Sequence, residues 1–126
     1  MTLISGAMSP KQAPAAPAER VQAYDRLVAA TPEIERKGAT PYTSVNGNMF
    51  SYLDALGSMA MRLSASDRAT FSERFATRLH EAYGIVQKEY VTVPDAVLVD
   101  TALLLPYFRS SYAYALTLKP KPTKSR

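Results

Sequence analysis

Residues 41–63 read PYTSVNGNMFSYLDALGSMAMRL, and the fold class turns on how this stretch pairs with itself. Asn46-Gly47 suits a two-residue type I′ hairpin, because both central positions need positive φ and these residue types tolerate it best. That turn sets Val45 opposite Asn48 and Thr43 opposite Phe50. A four-residue loop, Asp54-Ala55-Leu56-Gly57, then sets Tyr52 against Met59 and Phe50 against Met61. Val45, Phe50, Tyr52, Met59, Met61 and Leu63 thereby line one face of a three-strand meander. A slip of one residue would turn that whole set over, so the agreement of two separate turn assignments supports the meander. Its second face carries Tyr42, Met49, Leu53 and Arg62 among serines and Ala60. That mixture is neither a clean core nor a charged exterior, and it suits either contact with another protein, self-association being the simplest version, or a solvated sheet with scattered apolar groups.

Outward from the meander, the upstream chain reads as one helix and a turn. Pro17 fits a first helical position, and Val21, Tyr24, Leu27 and Val28 recur at helical spacing, which predicts a helix over 17–30. Thr31-Pro32-Glu33 is a second helix-start signal, with Gly38 as its stop, and predicts a short helical turn. Downstream, Ser64 can cap a helix in which Phe71, Phe75, Leu79 and Ala82 follow at intervals of about four, ending at Gly84. Residues 85–93 are rich in β-branched types and close at Pro94, so they read as a fourth strand or two short ones, with Val91 and Val93 inward. Asp100 can cap a last helix through Leu118 with Leu105, Phe108, Tyr112 and Leu116 as its apolar stripe. Pro106 is too deep for a first turn capped there, so the helix either kinks or begins near Leu105.

The pattern predicts an α+β fold: an antiparallel sheet, the meander plus one or two later strands, packed with helices at both ends of the chain and between strands. At 126 residues and 47% apolar content the chain suffices for one core. We expect a disordered segment over 1–16, a single domain over 17–118, and a basic disordered tail over 119–126. No apolar run approaches the length of a membrane span and the N-terminus lacks the features of a signal peptide, so the expectation is a cytoplasmic protein with no membrane association. The absence of cysteine removes disulfides, thiol nucleophiles and thiolate metal sites together.

A pI near 9.4 points towards nucleic acid, but the distribution of charge does not. Lys119, Lys121, Lys124 and Arg126 hold the whole excess; without them eleven basic residues face eleven acidic ones. Such a tail supports weak phosphate attraction or none. His80 is the only histidine, and beside Leu79 near a predicted helix C-terminus it suits a cation meeting the negative end of the helix dipole. Glu33 and Glu35 diverge on a helix and do not make a paired-carboxylate site. No serine sits in a G-x-S-x-G elbow, and Asn46-Gly47-Asn48 lacks the Lys-Ser/Thr of a phosphate loop. Tyrosine is abundant, and tyrosines near Arg62 or Arg109 could stack on a base, anchor a partner, or pack the core with hydroxyls at the rim. Neither catalytic residues nor a cofactor or metal site emerges, and no enzymatic activity is expected.

The order helix, meander, helix, strand, helix resembles the N-terminal domain of the TfoX/Sxy family. Val45-Asn46-Gly47-Asn48-Met49-Phe50 is similar to that family's hairpin, and Arg62-Leu63 with Asp67-Arg68 to its exit from strand three. Lys88 to Pro94 resembles its late strand, and Ser111-Tyr112-Ala113-Tyr114 with Leu118-Lys119-Pro120-Lys121 its closing helix and ending. The resemblance spans residues 32–121. It implies a sandwich of antiparallel sheet and helices similar to the type III secretion chaperones, often a homodimer, with no catalytic residues. The best-known members are competence regulators associated with the cyclic-AMP receptor protein, which implies a protein partner such as a transcription regulator. The expected function is a small non-enzymatic interaction or regulatory module, with Tyr42, Met49, Leu53 and Arg62 as its interaction face. The alternatives are nucleic-acid binding through the tail and tyrosines, or small-molecule binding.

Overall fold

The computed structural model describes residues 16–82 and 84–121. Residues 1–15 and 122–126, where most of the two expected tails fall, lie outside the described residues. The fold is α+β: α1 (Ala18–Ala29), β1 (Tyr42–Val45), β2 (Asn48–Leu53), β3 (Met59–Arg62), α2 (Ala65–Phe75), β4 (Leu79–Ala82), β5 (Ile85–Val93), α3 (Asp95–Leu98) and α4 (Thr101–Thr117). One antiparallel sheet runs in the order β1-β2-β3-β5-β4. Helices α1 and α4 cover one of its faces and bury Tyr24, Leu27, Phe50, Met59, Met61, Leu63 and Phe108 between the layers. Helix α2 packs on β5, and its Phe71 and Phe75 meet Tyr107 of α4.

The meander forms, with a different register. Asn46 and Gly47 take the positive φ values of the predicted turn, and Val45 faces Asn48 as expected. Beyond that, a bulge between Thr43 and Ser44 sets Thr43 against Ser51, not Phe50. The next loop is also one residue longer than predicted. Asp54 Oδ1 accepts from the amides of Leu56 and Ser58, and the Asp54 amide donates to the Ser58 carbonyl, which draws Ser58 into the loop. Leu53 therefore pairs with Met59, and Tyr52 with Ala60. The slip moves Tyr52 to the outer face and Leu53, expected outside, into the core, where it is fully buried. Phe50 escapes the exchange because the bulge lets two neighbours reach the helices. Its ring meets Phe108 and Tyr112 of α4, while the Ser51 hydroxyl joins Tyr24 of α1 and Thr43.

Helix α2 ends far short of Gly84. Ser64 caps it as predicted, accepting from the Asp67 amide, but Ala76 enters the left-handed region at φ 52° and the chain turns onto the sheet. There the Thr92 amide donates to the Arg78 carbonyl, and Thr77 Oγ1 donates to the Thr92 carbonyl. Residues 79–82 become edge strand β4, and Gly84 belongs to the turn between β4 and β5. The Thr31–Gly38 segment forms a turn, with the Ile34 amide on the Thr31 carbonyl, and no helix. Val91 and Val93 point inward as expected. Helix α4 runs unbroken through Pro106 from its Asp100 cap, which accepts from the Leu103 amide. Its fully buried stripe is Leu104, Phe108, Ser111 and Ala115; of the predicted stripe Phe108 holds, Leu105 and Tyr112 are partly buried against the core, and Leu116 is exposed. Past α4, Lys119 to Lys121 stay with the fold: Asn48 Nδ2 donates to the Lys119 carbonyl, and the Lys121 amide to the Asn46 carbonyl.

Candidate functional site

Among the described residues no helix covers the second face of the sheet, and its side chains come from all five strands. Strict pairing puts Tyr42, Tyr52, Ala60 and Thr92 in one row across β1, β2, β3 and β5. Ala60 is the small member, and it is fully buried between larger neighbours. The Tyr52 ring stands 5.7 Å from the His80 ring, edge to face, and 5.9 Å from that of Tyr90. Hydrogen bonds fix these rings: Tyr52 donates to Gln87 Oε1 at 2.7 Å and Tyr90 to the Met49 carbonyl at 2.7 Å. Burial pushes the Tyr90 hydroxyl above its ordinary pKa, with the Arg62 charge opposing, so it remains a neutral donor. The Arg62 guanidinium lies 5.7 Å from the Tyr90 centroid and pairs with Glu89 at 2.7 Å. Burial raises the Glu89 carboxyl, but hydrogen bonds from Arg62 and Tyr114 and the charge of Arg62 outweigh it, and the net shift is downward.

At one end of this surface Tyr42, Met49 and Tyr52 floor an apolar hollow of about 480 Å³. One rim is the entry to β1, Gly38 to Thr40; the other is the β4–β5 hairpin, through Ala82 and Gln87. Of the four residues expected on the interaction face, Tyr42 and Met49 therefore line the hollow, Arg62 lies along the sheet from it, and Leu53 is in the core. The volume falls within the range of ligand pockets, but a single amide and a few hydroxyls supply its polar groups.

His80 lies in β4, not at a helix end, and is 3% exposed. Its Nδ1 shares a hydrogen bond of 2.8 Å with Thr92 Oγ1, and its Nε2 stands 3.5 Å from Asp54 Oδ2, too far for a hydrogen bond. Desolvation lowers its pKa and the Asp54 charge raises it, with a net fall. Hydroxyl, imidazole and carboxylate thus follow one another in the order of a nucleophilic triad, but the imidazole is sealed from solvent and Asp54 holds loop amides with its other oxygen. Among the described residues no group of three or more His, Asp or Glu is placed to hold a metal ion, and no helix is long and apolar enough to cross a membrane. Sequence reasoning missed His80, Ala82 and Gln87, all brought to this face by the β4–β5 hairpin; Gly84, taken as a helix stop, was the available signal for that turn. Comparison with protein-family models, with curated proteins and with solved structures finds no match.

Proposed function

We propose that this chain is a non-enzymatic interaction module that receives a protein partner on the outer face of its sheet. The observation that carries the reading is the hollow floored by Tyr42, Met49 and Tyr52: it is apolar, rimmed on two sides, and among the described residues no helix covers it. Aromatic side chains in such a patch supply contact area with little side-chain entropy to lose, and a methionine adapts its shape to what it meets, as at protein interfaces. The fixed rings of Tyr52 and Tyr90 make it preorganised. A regulatory role of the TfoX N-terminal kind, in the cytoplasm and with a transcription regulator as partner, fits this picture through the resemblance of its hairpin and late strand. Absence of cysteine is in keeping with a reducing compartment.

The test is affinity capture from lysate of the native host, comparing the native chain with Met49→Glu, which places a charge in the floor of the hollow. Proteins retained by the native chain and lost by a variant with an unchanged circular dichroism spectrum support the reading. Identical sets from both overturn it.

A further inference from the structure

We propose that the hollow receives a partner segment in which an aliphatic or aromatic side chain stands next to an acidic one: the apolar group fills the hollow and the carboxylate meets Lys37 beside it. The inference rests on the reading of the outer face as a docking surface and names the chemistry of what docks. Lys37 reaches that face by two independent routes. It forms an antiparallel bridge with Tyr42, and directly paired residues share a face of the sheet. Its ammonium also donates to Ser44 Oγ at 3.3 Å, and Ser44 pairs with Met49. Tyr42 and Met49 both line the hollow, so the ammonium stands next to its floor.

That charge is uncompensated. Among the described residues no acid lines the hollow, and Lys37 takes part in no ion pair. The neighbouring guanidinium groups are already committed: Arg36 pairs with Asp25 and donates to the Gly38 carbonyl, and Arg62 pairs with Glu89. The Tyr42 hydroxyl also meets no partner among the described residues, which leaves a second donor for an anion. The hollow is rimmed on two sides only, so a small molecule lying in it would keep much of its surface wet, whereas ligand pockets bury most of theirs. One side chain of a larger partner suits it better, because the partner's own surface closes the open sides. Gly38 fixes the shape of one wall, since a Cβ there would come within 2.8 Å of the Tyr42 ring. An acid on the partner then sets register and association rate more than affinity.

Selection of linear peptides from a random display library on the immobilised full chain tests the proposal. Peptides retained by the native chain and lost by Met49→Glu should carry Asp or Glu adjacent to an aliphatic or aromatic residue, or one residue removed from it. Lys37→Gln should weaken them several-fold, most at low salt, and selection on Lys37→Glu should enrich Lys or Arg in place of the acid. The Lys37 side chain is half-buried and its bridge to Tyr42 is made by the backbone, so an unchanged circular dichroism spectrum is expected of both variants and is checked for each. Met49-dependent peptides with no excess of acidic residues, or acidic ones indifferent to Lys37→Gln, overturn the proposal and leave the docking reading standing. A library that yields no Met49-dependent peptide overturns it too, while lysate capture judges the docking reading separately. Saturation of the Met49 methyl resonance by octanoate with no acidic peptide selected gives the hollow to a small carboxylate, and a concentration-dependent dimer abolished by Met49→Glu gives it to a second copy; either overturns the proposal.

Discussion

Gly47 shows how one residue joins three parts of the chain. Its φ of +79° belongs to the region that L side chains avoid, and a Cβ placed on it would sit 2.2 Å from the Lys121 carbonyl oxygen. Glycine is thus required twice, for the turn and for the close passage of the segment after α4. Gly47→Ala is expected to cost about 1–2 kcal/mol in urea unfolding, and to speed amide exchange at Lys121, whose donor bond to Asn46 the methyl would displace. Unchanged exchange there would show that the passage tolerates a side chain. The turn itself was legible from Asn46-Gly47, because the φ requirement is local. The second requirement was not, since Lys121 lies 74 residues further along the chain and nothing near Gly47 announces it.

At the level of elements, Pro106 sits inside α4 on an exposed position, where it withholds an amide from the helix ladder. Pro106→Ala is expected to stabilise the protein by about 1–3 kcal/mol, read as a higher denaturant midpoint with unchanged slope; a lower midpoint would show that the surrounding packing depends on the proline ring. The same scale explains what could be read in advance and what could not. Helices α1 and α4 were recognisable from periodicity and caps, and β1 to β3 from turn chemistry. The register was not, because it hung on the bulge at Thr43/Ser44 and on Asp54 taking Ser58 into its loop, and each shifts pairing by one residue without changing composition. Two such shifts cancel at Phe50 but not at Tyr52 or Leu53, so Tyr42, Met49 and Arg62 stayed on the outer face and Leu53 left it. Residues 79–82 were misread for a related reason: Leu79 and Ala82 continue the helical phase of Phe71 and Phe75, and only pairing with β5 decides against it.

For the whole molecule, His80 ties the β2–β3 loop, β4 and β5 together, and makes stability depend on pH. Its folded pKa lies below the ordinary value near 6.5, so the unfolded chain takes up the proton first. Stability from this group is complete above that value and is lost as the pH falls through it towards the folded one. Urea midpoints should decline over that window in the native chain and stay flat in His80→Gln; parallel curves would assign the dependence elsewhere. Glu89, shifted downward, acts in a separate and more acidic window, below about 4.3. The clasp of the hairpin turn by Lys119 and Lys121 also has a temporal consequence. Asn48 waits for a carbonyl 71 positions downstream, so in a chain emerging from the ribosome the β1–β2 ribbon lacks its clasp and the Phe50 ring stays bare until α4 has also emerged. Pausing or truncation ahead of α4 would therefore yield a species that sticks to chaperones, whereas an interruption after Lys121 would spare it.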